Sequence, residues 1–221
     1  MPDEEQRDRD EALDEPMEVI LGQCRKPTGE LGVRLARRMN RSHHPLTVWG
    51  LSHLPQESYD MVLDVGCGGG NTISLLGERI PGQLHGLDYS MDMVEHTREY
   101  NQGLVGEGRL EVLQGNVSRL PFGDSHFDLV TGVETYYFWP DLDGDLKEVR
   151  RVLRPGGILI LINAVYSHPR FEERNAQWAE MADFHYHTPS GLRKILEGAG
   201  FSQVTSDEVE EENWLVVMGR A

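Results

Sequence analysis

Apolar runs alternate with amphipathic segments along most of the chain after residue 58. Short runs rich in Val, Leu and Ile are typical of buried strands, whereas apolar residues three and four positions apart are typical of helices. The runs predict strands at 61–65, 83–87, 110–114, 127–131 and 157–162. The segments between them predict helices at 71–79, 91–102 and 142–153. Strands that alternate with helices form βαβ units, which predicts a parallel sheet.

The end of the chain has a different pattern. Two helices are predicted at 170–184 and 189–199, and apolar segments follow at 201–206 and 214–218. A short acidic turn joins these last two segments, which indicates a hairpin. The predicted fold is therefore a doubly wound α/β fold whose mostly parallel sheet includes one antiparallel strand.

The region before the first strand has little strand-like patterning. Residues 1–18 are charged and carry almost no large apolar side chains, which predicts a disordered acidic tail. Residues 19–58 contain a short amphipathic helix at 34–39 and an aromatic, histidine-bearing stretch at 43–51. Because this region precedes the first strand, we expect it to pack outside the core as a helical lid over the site.

Composition excludes several classes of partner. The 221 residues suit one domain with an appendage, and the formal net charge of -16 would repel phosphates and anionic lipids. Neither nucleic acid nor membrane is therefore predicted as a partner. Cys24 and Cys67 cannot build a disulfide framework, and neither a membrane span nor a signal peptide is visible, so we expect a cytoplasmic protein.

The strongest motif lies at residues 62–70, where the sequence VLDVGCGGG leads into the first predicted helix. It describes a buried strand, a turn with few side chains, and a helix whose free N–H groups face the turn. The glycine spacing is G-x-G-x-G, which is neither the dinucleotide fingerprint nor a phosphate loop. By itself this turn fits either a ligand cradle or a tight connection.

Polar or aromatic residues follow three further strands, at the edge where ligands bind in open α/β sheets. Asp88 follows the second strand and could accept hydrogen bonds from a ribose diol, although Asp88 or Ser90 could instead cap the next helix. Asn116 and Val117 follow the third strand and could read an adenine edge or form a simple turn. The consecutive aromatics at 136–139 could line a substrate pocket or pack into the core.

Taken in order, these segments resemble the class I S-adenosylmethionine-dependent methyltransferases of the small-molecule, ubiquinone-biosynthesis-like kind. The resemblance covers roughly residues 60–219. It rests on segments 62–70, 86–93, 120–122 with 127–130, 153–157 and 198–201. It implies a seven-stranded Rossmann-like sheet with an antiparallel last strand, in which residues 59–221 form the S-adenosylmethionine-binding domain. The implied reaction is methyl transfer to a small-molecule substrate, with S-adenosylhomocysteine as product.

The resemblance also implies roles for individual residues. The turn cradles the methionine part of the cofactor, Asp88 holds the ribose, Tyr89 and Met93 flank the adenine, and Asn116 with Val117 reads its edge. The family often has Asp where Asn116 stands, but Asn can still accept a hydrogen bond from the adenine amino group. The cofactor contacts expected here are Asp64, Gly66, Gly68, Gly70, Asp88, Tyr89, Met93, Asn116, Val117 and Glu134.

Chemistry at the acceptor is less well specified. A methyl group on a sulfonium is transferred by in-line displacement, so the protein must align the nucleophile and, where it carries a proton, offer a base. The expected catalytic residues are His43 and His44, in the predicted lid, and Tyr137. The expected substrate pocket consists of Trp49, Tyr136, Trp139 and His185. No metal site is predicted, since the His and acidic residues show no recognisable ligand spacing.

Two other functional classes remain open at this point. An NAD-dependent oxidoreductase could use the same general sheet, but the glycine spacing and the terminal hairpin disfavour it. A catalytically silent cofactor-binding or interaction module could use the acidic tails and exposed aromatics as a partner surface.

Overall fold

The computed structural model describes residues 15–221. The helices in this part of the chain are α1 (Met17–Arg25), α2 (Gly29–Ser42), α3 (His44–Leu51), α4 (Asn71–Arg79), α5 (Met91–Tyr100), α6 (Gln102–Gly106), α7 (Leu142–Val152), α8 (Glu172–Ala182) and α9 (Pro189–Gly198). The strands are β1 (Met61–Val65), β2 (Gln83–Asp88), β3 (Leu110–Gln114), β4 (Phe127–Val133), β5 (Leu153–Asn163), β6 (Ser202–Val209) and β7 (Trp214–Arg220). A single 3-10 turn, Tyr136–Phe138, follows β4.

The strands form one seven-stranded sheet in the order β3-β2-β1-β4-β5-β7-β6. β7 runs opposite to the other six strands and pairs antiparallel with both β5 and β6. The predicted doubly wound fold with a terminal hairpin and an antiparallel last strand is therefore confirmed. The strand order reverses between β1 and β4, and this switch point leaves a crevice at the carboxyl ends of the strands.

The core lies on both faces of the sheet, and β5 contributes to each face. Ile158, Ile160 and Ile162 belong to one buried cluster, whereas Leu159 and Leu161 belong to the other. A central strand covered on both faces is apolar at every position, which explains the unbroken run in the sequence. The strand begins at Leu153, four residues before the predicted start, because Leu153 pairs with Phe127 ahead of an irregularity in the β4–β5 ladder.

The N-terminal region is more helical than its sequence indicated. Residues 1–14 of the predicted disordered tail lie outside the described residues, but α1 begins at Met17, within the 1–18 segment. None of the residues of α1 is buried, and the helix lies against α8. The aromatic stretch is α3, which packs so closely on β5 that a Cβ on Gly50 would lie 2.6 Å from Ile162 Cδ1.

Replacing a side chain on the central strand tests this description of the core. Leu161 is 0% exposed, so the Leu161→Ala protein should lose about 2–5 kcal/mol of unfolding free energy in urea, because the cavity cannot fully collapse. Val105→Ala is the control, since Val105 is 40% exposed and its loss should change stability by no more than about 0.5 kcal/mol. Equal effects of the two substitutions would contradict the assignment of β5 to the core.

Candidate active site

A cavity of about 540 Å³ lies beyond the carboxyl ends of β1, β2, β3 and β4. Its floor includes the glycine turn after β1 and the residues that follow the other three strands. Helices α1, α2 and α8 supply side chains to its opposite walls. The cavity therefore stands at the switch point of the sheet, where open α/β folds bind their ligands.

The glycine turn has a backbone conformation that residues with a side chain rarely adopt. Gly66, Gly68 and Gly70 have φ values of 73°, 48° and 82°, in the left-handed region. A Cβ on Gly66 would also collide with the Thr135 hydroxyl. The N–H groups of Gly66 and Cys67 donate to the Leu87 carbonyl over 2.7 and 3.1 Å, so the turn is fastened to the end of β2.

Asp88 connects the glycine turn to the next helix. Its Oδ2 accepts from the Gly68 N–H and its Oδ1 from the Ser90 N–H, both over 2.9 Å. The residue is only 6% exposed, yet it lines the cavity. Burial raises the pKa of Asp88, while the backbone N–H groups lower it. Ser90 stands at the N-cap of α5, but its hydroxyl donates to the Pro27 carbonyl and makes no cap bond.

The N-terminal helices are tied directly to this edge of the sheet. The Tyr89 hydroxyl donates to the Arg25 carbonyl, and the Gly29 N–H donates to Asp92 Oδ2 over 2.6 Å. The Asn40 amide donates to the Gly69 carbonyl over 2.8 Å. The N-terminal helices that cover the cavity are thus hydrogen-bonded to the glycine turn and to the segment after β2.

Glu134 and Tyr137 form a polar pair on the cavity wall beyond β4. Glu134 has φ 57°, and its Oε1 accepts from the Ala164 N–H and, over 2.9 Å, from the Tyr137 hydroxyl. The Val165 N–H donates to the same hydroxyl over 3.2 Å. Burial, followed by the charge of Glu134, raises the pKa of Tyr137 well above its ordinary value. Tyr137 therefore remains protonated and orients the carboxylate.

The structure brings many of the expected site residues to one cavity. Those lining it are His43, Gly66, Gly68, Asp88, Tyr89, Asn116, Val117, Glu134, Tyr137 and Trp139. These residues come from the glycine turn, the three other strand ends and α2–α3, which are far apart in the sequence.

Three expected cofactor residues do not line the cavity. Asp64 is 2% exposed and its Oδ1 accepts from the Thr131 hydroxyl over 2.6 Å, inside the sheet. Met93 is on the buried face of α5 and is 0% exposed. Gly70 is the N-cap of α4, and its carbonyl accepts from the Asn101 amide. All three residues are therefore enclosed by their neighbours and are not exposed to the cavity.

Four expected catalytic or substrate residues also lie elsewhere. His44 is exposed, with its Nδ1 3.1 Å from Asn71 Oδ1, and His185 is exposed as well. Trp49 packs against Trp214 of β7, with ring centroids 5.8 Å apart. Tyr136 is 1% exposed and packs into the core cluster, with its ring centroid 4.6 Å from that of Tyr137.

Sequence reasoning missed the walls that α1 and α8 contribute. The unpredicted lining residues include Leu21, Cys24, Asn40, Arg174, Trp178 and Phe184. Burial, with a contribution from Glu134, raises the pKa of Cys24 to about 11, so this thiol stays protonated. The only sequence signal for α8 was its helical period, which does not tell where the helix packs.

Two further findings concern metals and membranes. Residues 15–221 contain no group of three or more His, Cys, Asp or Glu side chains placed to hold a metal ion. No helix among the described residues has the length and apolar character needed to cross a membrane.

Known proteins share both sequence and fold with this chain. Residues 63–161 match the family model described as a methyltransferase domain. The fatty-acid O-methyltransferase of Mycolicibacterium smegmatis is 39% identical over 143 residues, which cover 62% of this chain and 51% of that protein. The chain thus spans about half the length of the curated relatives it matches, and in some cases less.

Two solved structures show the same fold. One is a chain from the complex between the Haloferax volcanii Trm112 methyltransferase activator and a methyltransferase, with TM-score 0.76 and 23% identity. The match covers 86% of this chain and 93% of that one. The other is Haemonchus contortus phosphoethanolamine N-methyltransferase 2 in complex with S-adenosyl-L-methionine, with TM-score 0.70, 15% identity, and 80% and 52% of the two chains covered.

The sheet order, the glycine turn and the carboxylate after β2 define the class I S-adenosylmethionine-dependent methyltransferase fold. Residues 63–161 are thus similar to the methyltransferase domain, and S-adenosylmethionine is the cofactor that this match and the shared fold indicate. Membership of the ubiquinone-biosynthesis-like subgroup stays a prediction.

Asp64 should make stability depend on pH. Burial, opposed by the Thr131 hydroxyl, raises its pKa to about 7, above the ordinary value of 3.8. The folded protein then binds more protons than the unfolded chain between these values, so stability should fall as pH rises from about 4 to about 7. Urea unfolding of the wild type and of Asp64→Asn across this range checks it. The wild type should lose stability relative to the variant up to about pH 7, and parallel curves would contradict the assignment.

Proposed function

We propose that this protein transfers the methyl group of S-adenosylmethionine to a small-molecule acceptor with an apolar body. The observation that carries the proposal is Asp88, a nearly buried carboxylate that lines the cavity beside the glycine turn. Each carboxylate oxygen accepts one backbone N–H, from Gly68 or from Ser90, and so can accept a further hydrogen bond. Its remaining acceptor capacity suits a ligand with hydroxyl donors.

The residues present fit S-adenosylmethionine. Asp88 would accept from the two ribose hydroxyls, and Tyr89 would lie along the adenine. Asn116 and Val117 also line the cavity and would contact the adenine edge with an amide and an apolar side chain. The turn at Gly66 and Gly68 would admit the methionine part close to the backbone.

The acceptor chamber is built from apolar and aromatic side chains. Phe184 lies 5.3 Å from Tyr137 and 5.8 Å from Phe138, measured between ring centroids, and Trp178 and Leu21 continue the wall. The cofactor, when bound, supplies an electrophilic methyl group on a positively charged sulfur. The chain's residues align the acceptor with that methyl and exclude water, which competes as a nucleophile.

His43 is the candidate general base, because it is half-buried and lines the cavity. Tyr137 is a positioning residue, since it holds Glu134 through a 2.9 Å hydrogen bond. An acceptor that is already anionic needs no base at all. The likeness to a fatty-acid O-methyltransferase supports an apolar acceptor of this kind.

Cofactor binding and turnover test the proposal. Isothermal titration should show binding of S-adenosylmethionine and S-adenosylhomocysteine in preference to NAD, and labelled methyl should pass to decanoate or to another apolar acceptor in a panel. Preference for NAD would favour an oxidoreductase. Tight cofactor binding without transfer to any acceptor would favour a silent cofactor-binding module.

Removal of the Asp88 carboxylate tests the proposed ribose contact. Asp88→Ala should weaken S-adenosylhomocysteine binding by about 1–3 kcal/mol, because charge-assisted hydrogen bonds are lost. Asp124→Ala is the control, since this exposed carboxylate pairs only with Arg151 among the described residues. Unchanged cofactor affinity in Asp88→Ala, with folding verified by urea unfolding, would mean that Asp88 serves the turn alone.

A further inference from the structure

Arg174 places a positive charge in the cavity wall, beside the aromatic side chains of the acceptor chamber. It lies in the first turn of α8 and lines the cavity together with Trp178. Its guanidinium carbon lies 4.5 Å from the Trp178 ring centroid and 4.6 Å from that of Phe171. These contacts hold the plane of the guanidinium against two aromatic rings on the same face of α8.

Two buried asparagines fix the orientation of the guanidinium. Nε and Nη2 donate to Asn175 Oδ1 over 3.1 and 2.8 Å, and Nη2 also donates to Asn213 Oδ1 over 2.9 Å. Both asparagines are 0% exposed, and both donate to the Tyr166 carbonyl. The two buried amides therefore hold the guanidinium in one orientation.

This arrangement leaves part of the guanidinium uncommitted. Nη1 carries two N–H donors and has no hydrogen-bond partner among residues 15–221. No carboxylate of the described residues forms an ion pair with Arg174, although Glu212 also lines the cavity. Burial alone lowers the pKa of Arg174, which indicates that no neighbouring charge offsets the cost of desolvating it.

We propose that Arg174 binds an oxyanion, such as a carboxylate, on the methyl acceptor and so determines its specificity. The inference rests on the proposed function and adds the acceptor's charge class to it. The two free N–H donors of the fixed Nη1 can donate to an oxyanion oxygen, and the surrounding rings match an apolar body.

A binding experiment with two matched probes tests the inference. The protein is saturated with S-adenosylhomocysteine, and decanoate and decan-1-ol are titrated by calorimetry. Decanoate should bind more tightly to the wild type. Arg174→Gln should weaken decanoate binding by about tenfold or more, the range for lost charge-assisted hydrogen bonds, and leave decan-1-ol binding unchanged. Arg170→Gln is the matched control, because Arg170 also stacks on Phe171 but does not line the cavity.

The outcomes separate the two proposals. Failure of the wild type to bind S-adenosylhomocysteine would overturn the proposed function. Cofactor binding without a preference for decanoate, or an equal loss of both probes in Arg174→Gln, would overturn only the inference about Arg174. Should Arg174→Gln fail to fold, Arg174→Lys decides. The lysine keeps the positive charge but lacks the Nη1 donors held by the asparagine network, so it should reduce decanoate binding selectively, and an unchanged ratio of the two affinities would refute the role.

Discussion

The hydrogen bonds from the Gly68 and Ser90 N–H groups to the Asp88 carboxylate hold the functional edge of the molecule together. They join the turn after β1 to the start of α5, so two neighbouring strand ends cannot separate without exposing a nearly buried charge. The left-handed glycines allow the turn to come this close. The Gly66 and Cys67 N–H groups bind the Leu87 carbonyl as well, so the floor of the cavity is attached to β2 at two points.

The strands of the sheet could be predicted from the sequence because buried strands appear there as apolar runs. Both bounds of β1 and β3 were predicted correctly, and so were the hairpin and its antiparallel strand. Helix α1 was missed because none of its residues is buried. Helix α3 was missed because its residues also suit strands and loops. The apolar content of 43–51 reflects close packing on β5, and no local pattern reveals that contact.

The candidate site divides in the same way. Residues that follow strands, such as Asp88 and Asn116, line the cavity because the sheet alone places them there. Residues that were predicted from their chemical type alone do not line the cavity: His44 and His185 are exposed, and Tyr136 is in the core. The sequence did not indicate Arg174 and Phe184 as site residues. They line the cavity because α8 packs beside it, and the position of α8 depends on α1 and on the β6–β7 turn.

The hydrogen bonds from the Tyr89 and Ser90 hydroxyls to the carbonyls of Arg25 and Pro27 bear on the order of events during turnover. The segment between β2 and α5 that presents Asp88 also fastens the covering helices. A movement of these helices away from the cavity would break the same bonds. A ligand that could leave only by such a movement would therefore be released more slowly, in proportion to the free energy that these bonds contribute.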